Sequence, residues 1–167
     1  KEEHQAVKLA LSILSKVCKK LESKESVDPS HLEDILEFLK VFVDKCHHTK
    51  EEELLFPAME KAGVPKEGGP IGMMLEEHDL GRGYIKKMSQ TVDLLEFAKN
   101  ARNYIALLNE HIDKEDNILY MIADMHLSDS QQRSLVKYFT RIEEEKVGAG
   151  KHEQFHKMLE DLEKLYL

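Results

Sequence analysis

The sequence predicts an all-α protein, and three observations carry the prediction. The 167 residues are 41% hydrophobic and 34% charged, with four Pro, no Trp and long stretches rich in Glu, Lys and Leu, a composition of helix formers. Apolar residues recur at steps of three and four along most of the chain, as amphipathic helices require. Helix start and stop signals, Asp-Pro, Gly-Pro, Ser-x-x-Gln and paired Gly, separate one periodic stretch from the next. A chain of this length fits one domain that buries a real core without disulfides or a structural metal.

The first helix runs from His4 to about Leu21, on a seam of Val7, Leu11, Leu14, Cys18 and Leu21 that passes through His4. Asp28-Pro29 places a capping residue and a first-turn proline at the start of the second helix. That helix continues through Leu32, Ile35, Leu36, Leu39, Phe42 and Val43 to His47, Glu51, Leu54 and Leu55, and ends before Gly63; Pro57 is expected to kink or locally break it. Gly63 to Gly69 is a loop by composition, and Pro70 opens a third helix carrying Ile71, Met74, Leu75, His78, Ile85 and Met88. Gly81 and Gly83 in its middle cost roughly 1 kcal/mol each relative to Ala, so a closely packed neighbouring helix is expected there. The fourth helix begins near Asp93 and carries Phe97, Ala101, Tyr104, Leu108, His111, Glu115 and Leu119 to about Met125. Ser128 and Gln131 form a capping box for a fifth helix through Leu135, Phe139 and Ile142, which Gly148-Ala149-Gly150 stops. A sixth spans about Lys151 to Leu165, with Phe155, Leu159 and Leu162 as its stripe.

Acids outnumber bases 32 to 24, for a net charge of −8, which argues against a nucleic-acid surface. No apolar run is long enough to span a bilayer, and Lys1-Glu2-Glu3-His4 lacks a signal-peptide pattern. Cys18 and Cys46 fit a reducing interior as small buried hydrophobes, and the expected location is cytoplasmic. No phosphate loop, nucleophile elbow or Cys-x-x-Cys pair supports a hydrolase or a nucleotide-dependent enzyme.

One phrase occurs twice. His47-His48-Thr49-Lys50-Glu51…Leu55-Phe56 and His111-Ile112-Asp113-Lys114-Glu115…Leu119-Tyr120 match at the histidine, the lysine, the glutamate and the closing Leu-aromatic pair. Residues four apart share a helix face, so each copy offers an imidazole and a carboxylate to a common point. His4 and His78 add one histidine from each of the other two core helices. A carboxylate in a core is costly unless paired or metal-bound, and imidazoles suit iron, zinc and copper. Two glutamates from opposed helices can bridge two cations, leaving two histidines for each, with open positions that favour a redox metal meeting a small molecule. Tyr84, Tyr104 and Tyr120 are candidates for places near such metals, against the ordinary reading of helical aromatics as core.

With Gly69-Pro70-Ile71…Glu77-His78 between the two phrases, and Pro57 after the first, residues 1 to about 125 resemble the hemerythrin-like (HHE cation-binding) family. The resemblance implies an up-down four-helix bundle, to which the chain's own pattern adds two extra C-terminal helices; the whole is read as one domain over 1–167 with a core bundle of about 1–125 and an extension of about 128–167. It implies two carboxylate-bridged non-haem iron ions, with Mn or Zn as alternatives. The ligands it implies are His4, His47, Glu51, His78, His111 and Glu115. His48 and Glu52 also satisfy the four-residue spacing and are secondary candidates; the register of the second phrase prefers His47 and Glu51. The expected partners are a diatomic or peroxide ligand and a redox partner protein, with no nucleic acid and no membrane. An iron or oxygen sensor, an iron-donating repair module, and a zinc-bound or metal-free interaction protein are the alternatives. Oxygen-carrying hemerythrins have a second histidine four residues after the helix-three ligand, and here Arg82 stands in that place, which argues against simple reversible oxygen carriage. His152, four before His156 on the sixth helix, is a further candidate for the vacancy.

Overall fold

The computed structural model describes residues 2–167. Its six helices are α1 (Glu2–Glu22), α2 (29–61), α3 (Pro70–Gln90), α4 (94–126), α5 (Asp129–Lys146) and α6 (Ala149–Tyr166). The first four form the up-down bundle. Asp28 caps α2 by accepting from the Ser30 N–H at 2.9 Å, Asp93 caps α4 through the Leu95 and Glu96 N–H groups, and Ser128 with Gln131 closes the capping box of α5. Gly63, at φ +102°, ends α2 in the left-handed conformation open to glycine.

Two apolar clusters fill the bundle. The larger is built on Val7, Leu11, Leu14, Phe38, Phe42, Ile85, Tyr104 and Leu108 and takes in Phe155, Leu159 and Leu162 of α6. The smaller gathers Phe56, Met59, Ile71, Met74, Leu119, Ala123 and Leu127. The buried polar residues of the twin phrase lie between them in sequence and belong to neither, so a polar layer interrupts the core. Helix α5 packs on α2, and α6 on α1 and α2. Among the described residues no helix is long and apolar enough to cross a membrane.

Both long helices change pitch in the twin phrase. Leu39–His48 and Glu51–Leu55 in α2, and Glu115–Leu119 in α4, are π-helical, with the Phe56 N–H bonded to the Glu51 carbonyl and the Tyr120 N–H to the Glu115 carbonyl. Of the kink or local break expected at Pro57, the break does not occur: residues 29–61 are continuously helical. The helix passes through Pro57, because the proline stands at the start of the α turn that follows the wide turn, where its missing N–H costs little. The glycines of α3 also need correction. A Cβ on Gly81 would meet Tyr104 and Leu108 of α4 at ordinary contact, 3.5 and 3.7 Å, and one on Gly83 would meet nothing within 4 Å. Helix α4 thus packs against Gly81 as expected but leaves room for a Cβ, and Gly83 faces open space, so close approach requires glycine at neither.

Candidate metal centre

The π turns decide which side chains meet. His4, His47, His48, Glu51, His78, His111 and Glu115 are all buried, and they fall into two groups, His4/His47/Glu115 and His48/Glu51/His78/His111. The six residues foreseen as the main ligands are all present. His48 joins them, so the choice of His47 over His48 dissolves: the wide turns of α2 bring both rings inward. Its ring stacks on that of His78 with centroids 3.8 Å apart, and neither of its nitrogens has a hydrogen-bond partner. Burial, and then the charge of His78, holds its pKa well below the ordinary histidine value, so it presents a neutral ring with a free lone pair.

Glu52 and His152 lie in neither group. Glu52 turns to the Nδ1 of His78, 3.1 Å away, and to Arg82. His152 sits over Phe42 and pairs with Glu143 at 3.3 Å. Of the three tyrosines, only Tyr120 reaches the groups. Its hydroxyl donates to Glu115 Oε2 at 2.6 Å and lies 3.2 Å from both Glu51 Oε2 and His4 Nε2. Tyr104 is buried without a partner for its hydroxyl, and Tyr84 lies half-buried on α3. Both cysteines are buried, and desolvation pushes each thiol up to about 11.

Four histidines are each held from behind by a carboxylate. Glu3 of α1 accepts from His47 Nδ1 of α2 at 3.3 Å, and Glu52 of α2 accepts from His78 Nδ1 of α3. Glu77 of α3 accepts from His111 Nδ1 of α4 at 3.2 Å, and Asp116 of α4 accepts from His4 Nδ1 of α1 at 2.9 Å. Each helix thus orients the histidine of the next, and the ring closes. Each carboxylate stands beside a group member in sequence yet serves another helix, a relation that chain order hides.

Basic residues complete three of these pairs. Lys50 donates to Glu3 at 3.2 Å, Lys114 to Glu77 at 3.1 Å, and Arg82 to Glu52 and, at 2.7 Å, to Asp44. The lysine shared by the two phrases thereby has a role: each grips the carboxylate that orients its own phrase's histidine. Arg82 faces away from the centre and acts through Glu52. Burial opposes ionisation of Glu3 and Glu52, yet the hydrogen bonds and charges of His47 with Lys50, and of His78 with Arg82, bring each down to about 2.

An ionised carboxylate only accepts, so each Nδ1 carries a proton, and in the neutral ring that a metal requires each Nε2 turns a lone pair inward. Against the opposing effect of burial, Glu115 and Glu77 raise the pKa of His111, whose inner proton a cation would displace. The Nε2 nitrogens face one another in pairs, His4 to His47 at 3.0 Å and His78 to His111 at 3.2 Å. Between them lie Glu51, with one buried oxygen lacking a hydrogen-bond partner, and Glu115, whose Oε1 closely contacts His111 Nε2. Burial and the neighbouring Glu115 push Glu51 well above the usual carboxylate range. Opposed lone pairs and crowded buried carboxylates are unfavourable by themselves and become favourable around cations. The donor set fits metal.

The family description of the hemerythrin HHE cation-binding domain matches residues 1–123. The chain belongs to that family. As a hemerythrin HHE protein it binds metal, with His/Glu groups suited to the task. Among curated proteins it is similar to the iron-sulfur cluster repair protein YtfE of Yersinia pestis (strain Pestoides F) and of Yersinia pseudotuberculosis (strain IP 31758). Each is 34% identical over 85 residues, covering 44% of this chain and 38% of the relative. The matched stretch is thus well under half of those relatives' length. No solved structure matches the chain significantly.

Proposed function

We propose that this hemerythrin HHE protein holds two iron ions bridged by Glu51 and Glu115, and that the pair binds or reacts with a small oxidant: O2, peroxide or nitric oxide. The observation that carries the reading is the inward pairing of four histidine lone pairs across two buried carboxylates. His4 and His47 serve one ion, and His48, His78 and His111 the other. Five histidines and two carboxylates would hold the pair, fewer donors than two six-coordinate cations take, so positions would remain for a small ligand. When bound, the metal pair supplies electrons and open positions for a small ligand.

The chain's own residues supply access and order. A cavity of about 300 Å³ ends on His47, Glu51 and Tyr120, and its other walls include Leu55, Ala123, Leu127, Leu135, Val136 and Phe139. The mostly apolar walls, interrupted by Asp124 and Gln132 as well as Lys50 and Glu3, suit a small molecule such as a diatomic or peroxide. Lys50 and Glu3, paired at its edge, hold His47 in orientation. The Nδ1 carboxylates keep each proton off the ligating nitrogen, so the rings are ready for metal without reorganisation.

The test is iron loading without oxygen, followed by metal counting and exposure to O2, peroxide or nitric oxide. The expected result is two irons per chain and a new near-ultraviolet absorption on oxidation. Less than one iron per chain with an unchanged spectrum refutes the reading, and occupation by Zn or Mn alone replaces iron in it. The similarity to iron-sulfur cluster repair proteins favours one second reading, iron donation without turnover. Transfer of iron from loaded protein to an apo iron–sulfur protein, faster than from free iron, would select it.

A further inference from the structure

We infer that Tyr120 is itself a metal ligand, a further donor to the ion held by His4, His47 and Glu115. The inference rests on the metal-binding reading above and concerns a residue outside both groups. The two groups are unequal. One has four donors, because His48 adds to Glu51, His78 and His111, and the other has three. The hydroxyl of Tyr120 lies at the poorer one, 3.2 Å from His4 Nε2, 2.6 Å from Glu115 Oε2 and 3.2 Å from Glu51 Oε2. Donors at adjacent corners of an octahedron with bonds of roughly 2.1 Å stand about 3.0 Å apart. The His4–His47 separation of 3.0 Å already has that spacing, and the tyrosine oxygen extends the same pattern.

The π turn is what places it there. Five residues along an α-helix a side chain lies about 140° around the axis from its start. In the wide turn Glu115–Leu119, residue 120 instead stacks over residue 115. The first phrase makes the same turn and sets Phe56 in the corresponding place. Each aromatic ring also stacks on a histidine of its own group, Phe56 on His78 and Tyr120 on His4. The phrases therefore differ at this place by one hydroxyl, and it falls on the side with fewer donors.

Ligation replaces the phenol O–H bond with an oxygen–iron bond. The proton leaves to a buffer base through the cavity, which Tyr120 also lines, and no electron changes hands. The test uses the full chain loaded with iron and oxidised to the ferric state. A tyrosinate ligand gives a visible charge-transfer band, and resonance Raman excitation within it enhances phenolate ring modes. Both are expected in the parent and in Tyr84→Phe, and complete loss is expected in Tyr120→Phe. If Tyr120→Phe does not fold, 3-fluorotyrosine placed at position 120 is expected to shift the band and the ring modes. A parent with its full iron complement and no such band overturns the inference and leaves the metal reading intact, as Tyr120 would then only hydrogen-bond to the carboxylates. A band that survives Tyr120→Phe, or ignores the fluorinated residue, overturns it too. Failure to hold iron overturns both.

Discussion

Asp116→Asn tests the ring of carboxylates most cleanly. Asp116 accepts from His4 Nδ1 at 2.9 Å. Asparagine keeps the shape and loses the charge, so at best the contact becomes a neutral hydrogen bond. Charge-assisted bonds contribute roughly 1.5–3 kcal/mol and neutral ones roughly 0.5–1.5, so about 1–1.5 kcal/mol is lost if the amide oxygen faces the ring. If the amide nitrogen faces it, the proton moves to Nε2 and that ligand is removed altogether. The expected outcome is binding of the ion served by His4 and His47 weakened by roughly 5- to 13-fold in the first case and up to about 100-fold in the second, with the other ion close to the parent affinity. Glu52→Gln, behind His78, should show the opposite pattern. Anaerobic competition against an iron(II) chelator, with stepwise occupancy, reads both. Asp113→Asn, exposed on the same helix, is the control. Asp116→Asn within twofold of the parent, or an equal loss in Asp113→Asn, would refute the idea that these carboxylates set the histidine orientation.

Three further outcomes follow from the same geometry. His48→Ala should weaken the ion of the four-donor group and spare its neighbour, whereas His152→Ala should leave the metal count unchanged, both by metal analysis. In the metal-free chain Glu3 falls from an ordinary 4.5 to about 2, so its stabilising contribution is full above pH 4.5 and is lost as the pH drops toward 2. That depression corresponds to about 3 kcal/mol at most. Solvent reaching Glu3 reduces the contribution to about 1–2 kcal/mol, and urea midpoints of Glu3→Gln at pH 6 and pH 3 should differ correspondingly less than the parent's. Gly83→Ala should raise thermal stability by about 0.5–1 kcal/mol, since its Cβ meets open space, and Gly72→Ala should lower it, since a Cβ there stands 2.7 Å from the Lys66 carbonyl. Calorimetry decides both signs.

The sequence by itself determined the helices, because caps and apolar periodicity act locally: Asp28, Asp93 and Ser128 cap where the chain predicts. It also picked out the six residues that the fold gathers into two buried His/Glu groups, since a His or Glu on an apolar seam is conspicuous wherever it occurs. Only the tertiary structure decided the rest. Glu3, Glu77 and Asp116 read as ordinary charges beside site residues, and their work is done on a different helix. Lys50 and Lys114 repeat between the phrases, and the repetition was the one available signal, though nothing local says what a repeated lysine grips. His48 and Tyr120 were the hardest to place, because an α-helical projection puts them off the seam. The π turns of α2 and α4 rotate them inward, and helix pitch at such a layer is set by packing across the bundle rather than by the residues of one turn.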